Sequence, residues 1–236
     1  MEIEYKNAKV NYITKGSGKK VILFLHGWGG NTQSFMPVCN VFKEKCILID
    51  FPPFGKSEEP KEVYTLFDYA EIVYQILQKE NVKCCDVISH SFGSRVAIIM
   101  QVKYKVFNKI VITGGAGIRP KNSIKKFCRK VRYKIIKTFN KNAVLGSKDY
   151  VLLSKVMKKT FSNIVNFDLS NYAKKIDIKT LLIYGKNDKE TPLYMAKKFN
   201  KLIKKSSLKI YKNCGHFAYL ENLEQFLLDV KIFIRE

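Results

Sequence analysis

The feature that most constrains this sequence is a serine with small residues two positions away on each side, set between an apolar run and a helix-like run. The serine is Ser91 in Ser89-His90-Ser91-Phe92-Gly93, preceded by Val87 and Ile88 and followed by the apolar stretch 96–100. Small flanking residues are needed where a strand turns sharply into a helix, because larger side chains would collide across the turn. The segment therefore predicts a strand, a tight turn carrying Ser91, and a helix.

A base and an orienting acid follow further along the chain. A serine hydroxyl becomes a good nucleophile only when a base takes its proton and a third group orients that base. Asp188 follows the apolar run 181–185, and His216 follows the shorter run 208–211, so both lie on loops after predicted strands. The order serine, aspartate, histidine is the one expected for groups at successive strand ends of one sheet. We therefore predict Ser91, Asp188 and His216 as the catalytic residues.

Five motifs in one order resemble those of the α/β-hydrolase superfamily and extend over essentially the whole chain. They are His26-Gly27-Trp28-Gly29-Gly30, Asp50 to Ser57, Ser89 to Gly93, Gly185 to Pro192, and Gly215-His216. The resemblance implies the α/β-hydrolase fold, a mostly parallel sheet flanked by helices with a small helical cap. One departure is Ser89, which stands where the G-x-S-x-G motif of the family has its first glycine.

The resemblance also implies an oxyanion hole, built from the backbone N–H groups of Trp28 and Phe92. Phe92 is expected to begin a helix, whose free N–H groups favour developing negative charge. The other two histidines are interpreted as structural. His26 would shape the oxyanion loop, and His90 would lie beside Ser91 with its ring directed away from it.

Each candidate also has an ordinary structural interpretation. Ser91 could cap a helix, and Asp188 could be a turn residue in a solvated loop. Two other acids compete with Asp188 for the catalytic role but are poorly placed, since Asp50 lies in an early loop and Asp86 begins the strand that leads to Ser91. The histidine spacings fit no zinc motif, so no metal or other cofactor is expected.

Apolar runs and turn residues predict the other elements of the core. Strands at 10–14 and 21–25, joined by Gly16-Ser17-Gly18, are expected to form an opening hairpin. The further elements are a helix near 32–42, a strand at 46–50, a helix near 66–78, strands at 85–89 and 109–113 around the helix after Ser91, and a closing helix near 223–234. Strands that alternate with helices imply a mostly parallel sheet.

The segment 118–173 breaks this alternation and is predicted to be entirely helical. The resemblance implies that it is a cap over the active site, with 1–117 and 174–236 forming the core domain. Its apolar residues at helical spacing are Ile124, Phe127, Cys128, Val131, Ile135 and Phe139.

Composition and charge indicate the cellular compartment and the binding partners to expect. The 236 residues are 46% hydrophobic, with no leader-like start and no apolar run of bilayer length, and the six cysteines form no C-x-x-C pair, so a cytoplasmic protein with reduced thiols is expected. The net charge is +23, and 119–159 carries fourteen basic residues against one acidic residue. We favour a solvated basic face; the alternatives are attraction of anionic substrates and a weak contact with anionic membrane surfaces. Nucleic-acid binding is not expected, because no recognition motif accompanies the charge.

These observations predict a serine hydrolase that cleaves an ester-like bond of a small molecule through an acyl-enzyme. Serine as the nucleophile argues against the haloalkane dehalogenase and epoxide hydrolase branches of the family, which use aspartate there. Two alternatives stay open. One is a carbon–carbon bond hydrolase of ring-fission products, and the other is a non-catalytic ligand-binding protein that keeps the fold.

Overall fold

One sheet of eight strands organises the part of the chain that the computed structural model describes, residues 1–119 and 154–235. The strands are β1 (Glu2–Tyr5), β2 (Ala8–Lys15), β3 (Val21–Leu25), β4 (Lys45–Ile49), β5 (Cys85–His90), β6 (Phe107–Thr113), β7 (Thr180–Gly185) and β8 (Ser206–Tyr211). Their order is β1-β2-β4-β3-β5-β6-β7-β8. Strands β3 to β8 are parallel to one another, and β1 and β2 pair antiparallel. The predicted mostly parallel sheet is confirmed.

Helices cover both faces of this sheet. They are α1 (Met36–Cys39), α2 (Leu66–Lys79), α3 (Phe92–Tyr104), α4 (Lys155–Asn166), α5 (Ser170–Ala173), α6 (Leu193–Leu202), α7 (Ala218–Glu221) and α8 (Leu223–Arg235). Strand β3 shows the two layers, since Leu23 belongs to the core cluster that includes buried residues of α2, α3 and α6, while Phe24 belongs to the cluster that includes those of α1 and α8. Among the described residues, no helix is both long and apolar enough to span a bilayer.

The predicted opening hairpin is wrong. Strand β2 pairs with β1 on one side and with β4 on the other, whereas β3 lies between β4 and β5. All five residues of β3 are buried, and a strand buried on both faces needs strand partners on both of its edges. Strand β2 alternates buried and more exposed residues, which suits its place near the sheet edge.

The helix predicted near 32–42 is also different in the structure. A short 3₁₀ helix, Thr32–Phe35, is followed by the four residues of α1. Pro37 lies in the first turn of α1. Proline has no N–H to donate to a preceding turn, so it favours a new helix start over a continuous helix.

The described part of the predicted cap is helical in α4 and α5 but not at 118–119 or 167–169, and its end is fastened to the core. Residues 120–153, including the six apolar residues at helical spacing, lie outside the described residues, so the division into core and cap stays a prediction. In the described part, Arg95 of α3 donates from Nη1 to the carbonyl oxygens of Ile164 (2.9 Å) and Phe167 (3.1 Å). Burial of this guanidinium lowers the pKa of Arg95 to about 10. Helix α4 is therefore attached at its carboxyl end to the helix that follows Ser91.

Candidate active site

Ser91 occupies a strained turn between β5 and α3. Its φ is 48° and its ψ is −105°, a backbone conformation that residues with a side chain rarely adopt. The Ser91 N–H donates to the carbonyl oxygen of Thr113 (3.1 Å), and its own carbonyl accepts from Ser94 N–H (3.2 Å). The Ser91 side chain makes no capping bond to α3. The helix-cap interpretation is thus not supported, and strain held by surrounding bonds is typical of functional positions.

The small residues around Ser91 are required by close contacts. A Cβ atom at Gly93 would lie well inside van der Waals distance of the carbonyl oxygens of Leu25 and His26. Ser89 is fully buried, and its hydroxyl lies 3.0 Å from the carbonyl oxygen of Val111 and 3.1 Å from the Ser94 hydroxyl. A serine is tolerated in place of the first glycine of the motif because its hydroxyl has partners there.

Gly93→Ala should destabilise the fold by about 3 kcal/mol, because the new methyl group would force α3 away from β3. Urea unfolding measures this loss. Gly215→Ala is the matched control, since the nearest atom to a Cβ there is a side-chain oxygen of Glu221 at 3.3 Å and not a backbone atom. Equal unfolding midpoints for the two variants would contradict the tight contact at Gly93.

Asp188 and His216 form a close pair on the loops that follow β7 and β8. Asp188 Oδ2 lies 2.8 Å from His216 Nδ1. The other oxygen, Oδ1, accepts the N–H groups of Glu190 and Thr191, each at 2.8 Å, and the Thr191 hydroxyl donates to Oδ2 at 2.6 Å. Burial opposes the charge of Asp188, but these bonds and the charge of His216 outweigh burial and lower its pKa to about 2. Asp188 therefore acts as a turn residue and as an ionised partner of His216.

The His216 ring is oriented with Nδ1 towards Asp188, which leaves Nε2 as the atom able to take up a proton. Burial alone would lower the pKa of His216, but the bond and charge of Asp188, with the charges of Glu190 and Glu221, outweigh it and raise this pKa. Nε2 lies 3.4 Å from Glu190 Oε2. The ring packs against Gly114, where a Cβ would be 3.2 Å from Nδ1.

Ser91 and His216 approach the same stretch of backbone. The Ser91 N–H is bonded to Thr113, and the His216 ring lies on the next residue, Gly114. Parallel strands β5 and β6 are adjacent, so the ends of these strands bring the serine turn and the histidine loop to one edge of the sheet. Ser91, Asp188 and His216 thus follow strands that end at this edge, and the contact given for this group is the one between Asp188 and His216.

His26 fixes the loop that carries Trp28. It is buried, and desolvation lowers its pKa to about 4, so the ring is neutral near pH 7. Nε2 accepts the N–H of Phe51 at 2.9 Å, so the proton is on Nδ1, which donates to the carbonyl oxygen of Gly27 at 2.7 Å. The Trp28 ring meets the Phe92 ring edge-on at 5.3 Å, and Phe92 is the first residue of α3. The loop therefore lies beside a helix start whose N–H groups have no intrahelical partner.

His90 contacts and supports the loop that carries His216. Its Nε2 lies 3.1 Å from the backbone carbonyl oxygen of His216, and the two rings are 4.7 Å apart. Burial, followed by the charge of His216, lowers the pKa of His90 to about 3, so a neutral ring donates this bond. These contacts agree with the structural interpretation of His90.

The two acids that compete with Asp188 for the catalytic role, Asp50 and Asp86, interact with other parts of the chain. Asp50 accepts the backbone N–H groups of Thr32 (2.6 Å) and Lys56 (2.9 Å), which tie its loop to itself and to the segment after β3. Asp86 lies at the start of β5, where its Oδ2 is 3.6 Å from Lys20 Nζ. Asp188 is the acid that the structure places against His216.

Three polar residues of the site were not predicted from the sequence. Thr191 donates to Asp188, and its spacing of three residues from that acid is a turn signal that could have indicated it. Glu221 accepts the N–H groups of Gly215 (2.6 Å) and Phe217 (3.2 Å), which flank His216. Glu190 and Glu221 carry no such signal, because charged residues in solvated loops look alike in a sequence.

Aromatic side chains surround the loop of Trp28. Its ring meets Phe54 at 5.0 Å and Phe161 at 4.9 Å, in addition to Phe92. Phe161 belongs to α4, so the described end of the predicted cap meets the predicted oxyanion loop. The surroundings of the Trp28 ring are therefore aromatic.

A parallel sheet with a serine at a strained strand-to-helix turn and an Asp–His pair at later strand ends is the architecture of α/β hydrolases. The family described as alpha/beta hydrolase fold matches residues 20–143 and 151–223, and the chain belongs to this family.

Similar proteins act on more than one kind of bond. The chain is 24% identical to a 2-hydroxy-6-oxo-6-(2'-aminophenyl)hexa-2,4-dienoic acid hydrolase of Metapseudomonas resinovorans, over 92% of this chain and 84% of that protein. An esterase from Exiguobacterium antarcticum superposes with a TM-score of 0.81 at 18% identity, covering 97% of this chain and 96% of that one. The enol-lactonase from Burkholderia xenovorans gives a TM-score of 0.80 at 15% identity, with both chains fully covered. At these identities the solved structures show the fold alone.

Proposed function

We propose that this protein is a serine hydrolase that cleaves an ester-like bond of a small molecule, with Ser91 as nucleophile, His216 as base and Asp188 as the orienting acid. The observation that carries the proposal is the Asp188–His216 pair, at 2.8 Å, on the same sheet edge as the strained Ser91 turn. A solvated turn aspartate would not need a buried hydrogen bond to a histidine.

The proposed reaction begins when His216 Nε2 takes the proton of the Ser91 hydroxyl as Oγ attacks the ester carbonyl carbon. The carbonyl oxygen becomes an oxyanion, which the N–H groups of Trp28 and Phe92 stabilise. The tetrahedral intermediate collapses, and the protonated Nε2 gives its proton to the leaving alcohol. A water molecule then attacks the acyl-enzyme with His216 again as base, and the carboxylic acid leaves.

The aromatic surroundings of Trp28 support an apolar acyl group. The Trp28 ring, in the predicted oxyanion loop, is in contact with Phe54 and Phe161. Burial of an acyl chain against such rings is favourable in proportion to the apolar area removed from water.

The second candidate is a carbon–carbon bond hydrolase, which the relative from Metapseudomonas resinovorans favours. The name of that protein describes a carboxylic acid as its substrate. In this chain Glu190 places a carboxylate 3.4 Å from His216 Nε2, where an anionic substrate would be repelled. We therefore place ester hydrolysis first.

We expect the purified protein to hydrolyse p-nitrophenyl esters in a series from acetate to decanoate, with a chain-length optimum that reports the depth of the acyl pocket. Release of p-nitrophenol measures the rate. The comparison substrate is a vinylogous diketone acid of the ring-fission type, for which we expect little cleavage. Cleavage of the diketone with weak ester hydrolysis would establish the carbon–carbon hydrolase instead. No turnover of either, with no labelling of Ser91 by a fluorophosphonate, would favour the binding protein.

A further inference from the structure

We propose that Glu190 sets the substrate class of this site, so that esters whose alcohol portion carries a positive charge are preferred over esters whose alcohol portion carries a negative charge. The inference rests on the proposed function, because it places the leaving alcohol at His216 Nε2.

The position of Glu190 is set by the turn that holds the acid. Its backbone N–H donates to Asp188 Oδ1 at 2.8 Å, while its side chain extends over His216 with Oε2 3.4 Å from Nε2. The side chain is 70% exposed, whereas that of Asp188 is fully buried on the opposite side of the ring. The carboxylate of Glu190 thus faces the open side of the imidazole.

The leaving group has to come close to this carboxylate. During acyl transfer the alcohol oxygen receives its proton from Nε2, which requires hydrogen-bond contact with that atom. A charge on the alcohol two or three bonds further on then lies within several ångströms of Glu190. In a partly solvated site, attraction or repulsion at that distance changes the rate constant about tenfold.

The local charge differs in sign from the charge of the whole chain. The chain has a net charge of +23, but the charges that raise the pKa of His216 are those of Asp188, Glu190 and Glu221, and the ring of neighbouring His90 is neutral. Asp188 is hydrogen-bonded to His216 and to the turn that carries Asp188, and Glu221 accepts two backbone N–H groups. Distant positive charges are screened within about 8 Å at physiological salt. The charge that a leaving alcohol meets at contact distance is therefore that of Glu190.

The test uses three butyrate esters, whose alcohols are choline, the neutral isostere 3,3-dimethylbutanol and the anion 4-hydroxybutanoate. We expect kcat/KM to fall in that order for the wild type. Glu190→Gln should reduce the cation-to-anion ratio about a hundredfold, because attraction of the cation and repulsion of the anion are both lost. The neutral ester reports any change in rate that is common to the three substrates. The ratio of the wild type should also shrink at high salt. Glu224→Gln, which removes an exposed carboxylate from α8, is the matched control and should keep the wild-type ratio.

A second readout does not depend on turnover. The chain has three histidines, so the His216 ring signals can be followed by NMR in the wild type and in Glu190→Gln. We expect choline to shift these signals more than 4-hydroxybutanoate does, and we expect the variant to lose this preference and to show a lower His216 pKa. An active enzyme with an unchanged ester ratio in the variant overturns the inference and leaves ester hydrolysis standing. Absence of all ester hydrolysis, with the choline preference kept, overturns the proposed function and leaves the role of Glu190 standing.

Discussion

Ser91→Ala should lower kcat for ester hydrolysis by about 10⁴- to 10⁶-fold. The variant keeps the turn but has no oxygen to attack the carbonyl, so the remaining rate comes from substrate binding and the oxyanion N–H groups. Steady-state hydrolysis of the best p-nitrophenyl ester measures the effect, and labelling by a fluorophosphonate should be lost in parallel. The fold should remain intact, because the Ser91 side chain makes no capping bond to α3.

Ser89→Gly is the control for that substitution. It restores the glycine that the family motif has at this position, two residues before the nucleophile, and it leaves Ser91 in place. We expect this variant to keep the greater part of the wild-type activity. Full activity in Ser91→Ala would remove Ser91 from the mechanism, whatever the control shows.

Asp188→Asn should lower kcat by about 10⁴-fold. The uncharged amide stabilises the imidazolium less and can donate a hydrogen bond to Nδ1, which moves the ring proton to Nε2, where it blocks the base. Two N–H bonds from the acid turn can persist, so the loop should keep its place. Stopped assays with the same ester, supported by circular dichroism for the fold, provide the measurement.

Asp86→Asn is the control for the acid. Asp86 is buried, its pKa is raised chiefly by desolvation, and it lies at the far end of β5 from Ser91. We expect Asp86→Asn to retain activity. If Asp188→Asn loses less than about tenfold, a carboxylate other than Asp188 orients His216, and Glu190 would be the first to examine because it contacts the same ring.

Local sequence patterns predicted the parts of the fold that depend on local physics. The five apolar residues of β3 and the small residues around Ser91 leave little choice of structure, because burial and steric collision act between near neighbours. The hairpin prediction failed because the pairing of β2 with β4 depends on where β3 is placed, and that is settled by the whole sheet.

The candidate site likewise contains residues that local sequence patterns predict and residues that only the structure reveals. Ser91, Asp188 and His216 stand in motifs that a single sequence displays, and the structure brings them to one edge. Glu190 became visible only when the loops after β7 and β8 met, as where Thr191 approaches His216, 25 residues away. Glu221 bonds nearer in the chain, to the backbone of Gly215 and Phe217. Their carboxylates act through the direction of one side chain, and no composition or spacing encodes that direction.

The bonds of Arg95 make the described end of the predicted cap part of the framework that holds Ser91. Because the guanidinium joins α3 to the carbonyl oxygens of Ile164 and Phe167, residues 154–173 behave as part of the catalytic scaffold.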